Sequence, residues 1–188
     1  MSSLEQLPSN LPVPLDDGAA RHLPGLEMPH LHFPATTGGT IDISAVGSPR
    51  AVIYIYPMTG RPGVPLPTDW DLIPGARGCT PEACAFRDHY AELKAAGSEV
   101  YGLSSQTTDY QAEAAQRLNL PFALLSDERM ELADALHLPT FAVDELVLYK
   151  RLTLIVRAGR IEHVFYPIFP PDRHADEVLD WLHANSLD

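Results

Sequence analysis

Two hydrophobic periods alternate along this chain, and their alternation lays out its elements. Residues 51–56 form an unbroken apolar run, rich in Ile, Val and Tyr, that stops at Pro57. Such a run suits a strand buried on both faces. Residues 98–104, 122–125 and 152–156 read as further strands, the last paired through Ala158-Gly159 with residues 161–165 as a hairpin. Helical spacing takes over between them. Phe86, Tyr90 and Leu93 share a face, as do Tyr110, Ala114 and Leu118, then Met130, Ala133 and Leu136, and finally Ala175, Val178, Leu179 and Leu182. Thr108 opens the second of these helices with a capping-box pattern, Thr-Asp-Tyr-Gln. Residues 30–33 and 40–44, joined by Thr36-Thr37-Gly38-Gly39, predict an N-terminal hairpin. Strands and helices alternate in the middle with hairpins near both ends, which predicts an α/β domain, its central mixed sheet flanked by helices on both faces.

Two stretches lack periodicity. Residues 1–29 are rich in proline and polar residues and read as an irregular arm that wraps the domain or frays, leaving residues 30–188 as the folded domain. Residues 57–78, dense in Pro and Gly, connect a strand to a helix over far more than the usual 2–6 residues.

Composition narrows the function. A chain of 188 residues with 45% hydrophobic positions suits one domain with a sizeable core. No apolar run approaches the about 20 residues that span a bilayer, and the start lacks the basic-then-apolar pattern of a secretory signal. A net charge of -12 argues against nucleic acid and anionic membrane as partners. Two cysteines without an export signal point to a reducing, cytoplasmic setting, where such a pair is redox-active or metal-binding more often than structural. The eight histidines show no H-E-x-x-H pattern, so no metal and no cofactor are expected.

Both cysteines fall in Gly78-Cys79-Thr80-Pro81-Glu82-Ala83-Cys84-Ala85-Phe86-Arg87-Asp88. Thr80 suits an N-cap and Pro81 the first helical position, and the helix is expected to run to residues 96–97. Cys79 would then precede the helix, where orphan N–H groups and the positive dipole end favour a thiolate. A free thiol has a pKa near ~8.5, and this position is expected to lower it by one or more units. Five residues along an intact helix separate Cα atoms by about 8–9 Å with side chains roughly 140° apart. A disulfide needs Cα atoms within about 7 Å, so Cys79 and Cys84 can bond only if the first turn unwinds. The bland alternative is two inert cysteines packed on a core helix.

This segment resembles the active-site segment of the peroxiredoxins, in particular the bacterioferritin-comigratory-protein or peroxiredoxin Q group. The likeness continues through residues 96–104, 120–127 and 151–156, in the same order. It implies a thioredoxin-like fold and reduction of hydrogen peroxide or organic hydroperoxides. By position, Cys79 matches the peroxidatic cysteine and Cys84 the resolving one, so an intramolecular disulfide is implied. Thioredoxin or glutaredoxin is the implied reductant. Arg151 matches the arginine that faces the thiolate, and Glu82 the residue that orients that arginine. Backbone N–H groups at Gly78 and Cys79 would stabilise charge on the peroxide oxygens.

One departure stands out. The family carries a Pro and a Thr or Ser just before the cysteine, in the pattern P-x-x-x-T/S-x-x-C, and here the hydroxyl position is Ala76. The nearest equivalents, Pro57 and Thr59, lie beyond what resembles an insertion. Either Thr59 still reaches the sulfur or the hydroxyl role is lost or taken elsewhere. A second functional reading is a non-peroxidatic disulfide exchanger or redox-responsive binding module on the same fold, although the C-x-x-C of thioredoxin is absent. A third is an interaction domain with inert thiols.

Overall fold

The apolar run at residues 51–56 becomes the middle of the molecule. The structure, a computed structural model, describes residues 4–47 and 49–187. Strands β1 (His32–Pro34) and β2 (Thr40–Asp42) form the N-terminal hairpin. β3 (Arg50–Ile55) leads through a long loop to helices α1 (Cys79–Asp88) and α2 (Tyr90–Ala95). β4 (Ser98–Ser104), α3 (Thr108–Arg117), β5 (Ala123–Ser126) and α4 (Glu131–Leu136) follow. A hairpin of β6 (Thr140–Val143) and β7 (Leu146–Tyr149) precedes β8 (Leu152–Arg157), β9 (Arg160–Phe165) and α5 (His174–Ala184).

The main sheet has the order β5-β4-β3-β8-β9, with β3, β4 and β5 parallel and β8 and β9 antiparallel. All six residues of β3 are buried. Because strand side chains alternate faces, Ile53 and Ile55 enter one core with Leu154 and Leu125, while Val52 and Tyr54 enter a second with Ile155 and Leu124. The second core receives Phe86 of α1, Leu93 of α2 and Val178 and Leu179 of α5. The first is covered by Leu132 and Leu136 of α4 together with Leu23 and Met28 of the N-terminal segment. The expected mixed sheet with helices on both faces is therefore present, with irregular chain sharing one face.

That segment is tied down. Gly25 N–H donates to Ile161 O at 2.7 Å, Met28 N–H to Gly159 O at 2.8 Å, and Ile161 N–H to Leu26 O at 2.9 Å. These bonds shield β9, the edge strand, from open pairing.

Several local expectations shift. The helix at the cysteines starts at Cys79 rather than after Thr80, because Gly78 is the N-cap with φ 114°, a conformation Thr does not readily adopt. It also breaks at His89, so one expected helix is two. The cap of α3 is Thr107, whose hydroxyl accepts from Tyr110 N–H at 3.2 Å; the Thr108 hydroxyl instead donates to Ser126. On α3 the buried position is Gln111 beside Ala114, and Tyr110 stays half-buried. The β6–β7 hairpin has no counterpart in the expected elements. It pairs with the 57–78 loop, whose short 3-10 turn (Trp70–Leu72) buries Trp70 against Phe141, Val143 and Leu148.

Tyr54 connects the sheet to α1. Its ring stacks on Phe86 with centroids 4.6 Å apart, and its neighbour across the ladder is Gly102. A Cβ at residue 102 would lie 2.5 Å from Leu124 Cδ2 and 2.7 Å from Tyr54 Cζ. Gly102→Ala is therefore expected to cost about 1–3 kcal/mol through overpacking, read as a lowered urea midpoint. An unchanged midpoint would mean that Tyr54 and Leu124 move aside freely.

Candidate active site

Four of the residues singled out from sequence converge at the start of α1. Gly78 supplies the positive φ that turns the chain into the helix, and a Cβ there would collide with Pro171 Cγ (2.3 Å) and Leu7 Cδ2 (2.9 Å). Cys79 follows as the first helical residue, so its sulfur sits at the positive end of the helix dipole. Glu82, one turn on, is fully buried, and Arg151 enters from the residue before β8 with 3% of its surface exposed. Arg151 Nη1 donates to Glu82 Oε2. Its Nη2 donates to Cys79 Sγ at 3.1 Å and to the carbonyls of Ala76 (3.1 Å) and Arg77 (3.4 Å). A buried guanidinium is tolerable only with such partners.

The electrostatics differ from expectation. Burial pushes the Cys79 thiol up rather than down; the Arg151 charge pulls against it, Glu82 adds to it, and hydrogen bonds from Arg151 and the Met58 N–H lower it. Burial likewise raises Glu82, opposed by Arg151 and His174. Burial disfavours the Arg151 charge, yet the neighbouring Cys79 and Glu82 more than offset this and raise its pKa. The reason lies in the sulfur's surroundings. Cys79 is only 3% exposed, and the cavity at its mouth measures about 10 Å³, the lower limit for one water molecule. The expectation of a lowered thiol pKa counted the helix end but not this enclosure.

Thr59 does not stand in for the missing hydroxyl. Its Oγ1 donates to Gln106 Oε1 at 3.2 Å, its N–H to the same oxygen at 2.9 Å, and its carbonyl accepts from Gln106 Nε2 at 3.1 Å. At residue 76 only the backbone faces the site, its carbonyl accepting from Arg151 and, at 3.8 Å, from the Cys79 thiol. Cys84 lies in the same unbroken helix, half-buried, and both thiols are free. Burial raises the Cys84 thiol, with Arg87 opposing it.

Sequence reasoning missed two contributors. His174, buried at the start of α5, donates from Nδ1 to Glu177 and pairs through Nε2 with the Thr153 hydroxyl at 2.8 Å. Its ring meets Phe86 edge-on at 5.7 Å, and it is part of the field felt by Glu82. A single histidine before an amphipathic helix carries no sequence signal of this. Met58 N–H belongs to a loop that has no periodicity to read. A larger apolar cavity of about 350 Å³ is lined by Arg151, Ile73, Phe141 and Ile168, but Cys79 is not among its walls. Among the described residues no group of His, Cys, Asp and Glu is arranged to hold a metal ion, and no helix is long and apolar enough to cross a membrane.

Comparison with known proteins agrees with this arrangement. The Redoxin family model matches residues 23–179. Peroxiredoxin Q, chloroplastic, from Sedum lineare is 30% identical over 147 residues, 78% of this chain and 70% of the relative. Peroxiredoxin Bcp from Escherichia coli (strain K12) is 30% identical over 158 residues, 82% of this chain and 91% of that protein. The crystal structure of peroxidoxin BcpB from Mycobacterium tuberculosis superposes with a TM-score of 0.70 at 26% identity, covering 87% of this chain and 98% of that one. The matched span takes in the whole main sheet, α1 with both cysteines, and Arg151. By that span and these relatives the chain belongs to the redoxin family, as a thioredoxin-fold peroxiredoxin of the Q/Bcp group.

Proposed function

We propose that this thiol-dependent peroxidase works through Cys79 as the peroxidatic residue and Cys84 as the resolving one. The observation that carries the assignment is the 3.1 Å contact from the Arg151 guanidinium to Cys79 Sγ, made at the N-terminus of the helix that also holds Cys84. In the first step the Cys79 thiolate attacks one peroxide oxygen and the O–O bond breaks. The departing oxygen takes a proton and leaves as water or an alcohol. Sulfur loses two electrons and becomes a sulfenic acid. Arg151 stabilises the thiolate, and its Nη2 hydrogens, now shared among three acceptors, turn to the peroxide oxygens as they arrive. Glu82 holds the guanidinium in place. Backbone N–H groups at Gly78 and Cys79 and that of Met58 supply the donors that a hydroxyl at residue 76 would otherwise provide.

In the second step the first turn of α1 opens and Cys84 sulfur attacks the sulfenic sulfur. An S–S bond forms and water leaves. A dithiol of the thioredoxin or glutaredoxin type then donates two electrons and two protons to restore both thiols. Such a donor fits a reducing compartment such as the cytoplasm, although the plant relatives are named as chloroplastic. The net charge of -12 supports neither nucleic acid nor anionic membrane as a partner.

Peroxide consumption with a thioredoxin system, followed by intact mass and thiol titration, tests the cycle. The wild type is expected to turn over and to lose both thiols when oxidised without reductant. Cys79→Ser is expected to consume no peroxide. Cys84→Ser is expected to react once and hold a dimedone-trappable sulfenic acid. Peroxide turnover surviving in Cys79→Ser would remove the assignment.

Arg151 gives a second test. Arg151→Met leaves Glu82 buried without its partner and is expected to cost about 3–5 kcal/mol in urea unfolding. Its rate of reaction with peroxide is expected to fall by about 10²–10³-fold. Since Arg151 pulls the Cys79 pKa down, the pH profile of Cys79 alkylation should move to higher pH in this variant. Arg151→Lys keeps the charge but not the fork, and should recover stability more than rate.

A further inference from the structure

The loop that separates this chain from the family pattern has a structure of its own, and it lies over the sulfur. Trp70 is anchored against the β6–β7 hairpin with its ring 6.1 Å from that of Phe141. Thr68 N–H donates to the Asp144 carboxylate at the hairpin turn, 3.0 Å away, and Arg77 pairs with Asp71 at 2.9 Å. The loop is therefore held at several points. Leu66 and Leu4 meet on Gly60, where a Cβ would lie 2.7 Å from Leu4 Cδ2 and 3.1 Å from Leu66 Cδ2. The cavity at the mouth of Cys79 is walled by the apolar Leu4, Leu66, Trp70 and Met58 together with the polar Arg77 and Thr80, and its volume is about 10 Å³.

We propose that Leu66 and Trp70, with Leu4 from the N-terminal segment, form an apolar roof over Cys79 that determines which peroxides reach it. The inference rests on the peroxidase reading above and adds to it the class of substrate admitted. Every hydroperoxide presents the same O–OH to sulfur; what differs is the group behind it. Hydrogen peroxide is little larger than the water that marks the limit of this cavity, and enters with small side-chain displacements. A tertiary hydroperoxide must put its bulk where Leu66 and Leu4 pack. The roof thus selects hydrogen peroxide and small primary hydroperoxides over bulky tertiary ones. Opening it also hydrates the thiolate, so burial, which raises the Cys79 pKa, weakens as access improves.

The test uses the Cys84→Ser background, which leaves one thiol. Second-order rate constants are measured for hydrogen peroxide and cumene hydroperoxide by trapping the sulfenic acid, and for iodoacetamide by mass. Leu66→Ala and, separately, Leu4→Ala are compared with the parent. Leu4 is only partly buried and lies outside every helix and strand, so its truncation touches neither the main sheet nor the helices directly. The expected result is a rise of about tenfold or more for cumene hydroperoxide and iodoacetamide, the scale of steric selection in an apolar pocket, with a smaller change for hydrogen peroxide. The alkylation profile should also move to lower pH. An unchanged ratio of the two peroxide rates and unchanged alkylation in both variants would overturn the roof. If no peroxide oxidises Cys79 in any variant, it is the peroxidase reading that fails. The alkylation rates then decide the roof alone, a rise supporting it and no change overturning it.

Discussion

One buried guanidinium governs this molecule. Moving the Arg151 charge out of water costs several kcal/mol, and only a geometry that surrounds it with acceptors offsets the cost. Those acceptors come from distant parts of the chain: Glu82 from the first turn of α1, the carbonyls of residues 76 and 77 from the loop before it, and Cys79 Sγ between them. Arg151 itself is fixed by its place at the start of β8, next to the central strand. Satisfying that one side chain therefore docks α1 and the loop end against the sheet in a single register. The Tyr54–Phe86 stack and the contact of Pro171 with Gly78 hold the same helix from two other sides.

The same arrangement sets a limit on ionisation. One positive charge faces two groups that could be negative, the Glu82 carboxylate and the Cys79 thiolate. Burial pushes both upward, and the Glu82 carboxylate adds to the shift of Cys79. The enclosed state is thus a resting state in which sulfur holds its proton more firmly than an exposed cysteine does. Solvent reaching Sγ reduces the desolvation cost and lets Arg151 carry the thiolate. Access and activation are linked through the same few ångströms of apolar cover.

The sheet was legible because its strands are apolar runs bounded by turn residues, as for residues 51–56 and 152–156, although these two pair from distant parts of the chain. Cys79 was legible from its place at a helix start, but Glu82 and Arg151 were legible only through family resemblance; nothing in the surroundings of Arg151 marks it as buried. Gly78 shows why local rules failed at the cap. Thr80-Pro81 fits the usual start of a helix, but Pro171 and Leu7, far away in sequence, demand a residue without Cβ at 78, and a glycine with φ 114° then starts the helix one residue earlier than Thr80 would. The loop and the β6–β7 hairpin were illegible for a related reason. Each is stabilised by the other, through Trp70 with Phe141 and Thr68 with Asp144, about seventy residues apart, and neither has a periodicity of its own. Thr59 looked available for the sulfur because its partner, Gln106, lies beyond the next strand.

The N-terminal segment joins these points into one device. Leu4 closes the mouth of Cys79, Leu7 rests on Gly78, and Glu5 lies within electrostatic reach of Cys84. A disulfide between the two thiols needs the first turn of α1 to come apart, and that turn cannot move without displacing the residues lying on it. The break at His89 confines the movement, since α2 begins a new helix and keeps Leu93 in the core. Local opening of this kind costs much less than global unfolding when few apolar contacts are broken. Here the broken contacts are those of residues 4–7 and the roof together with the hold of Arg151 on that turn, and the cover from residues 4–7 and the roof is what keeps the sulfur dry. Oxidation of Cys79 and release of its cover therefore draw on one set of interactions, so a chain that holds its cover more tightly gains selectivity at sulfur and loses speed in forming the disulfide.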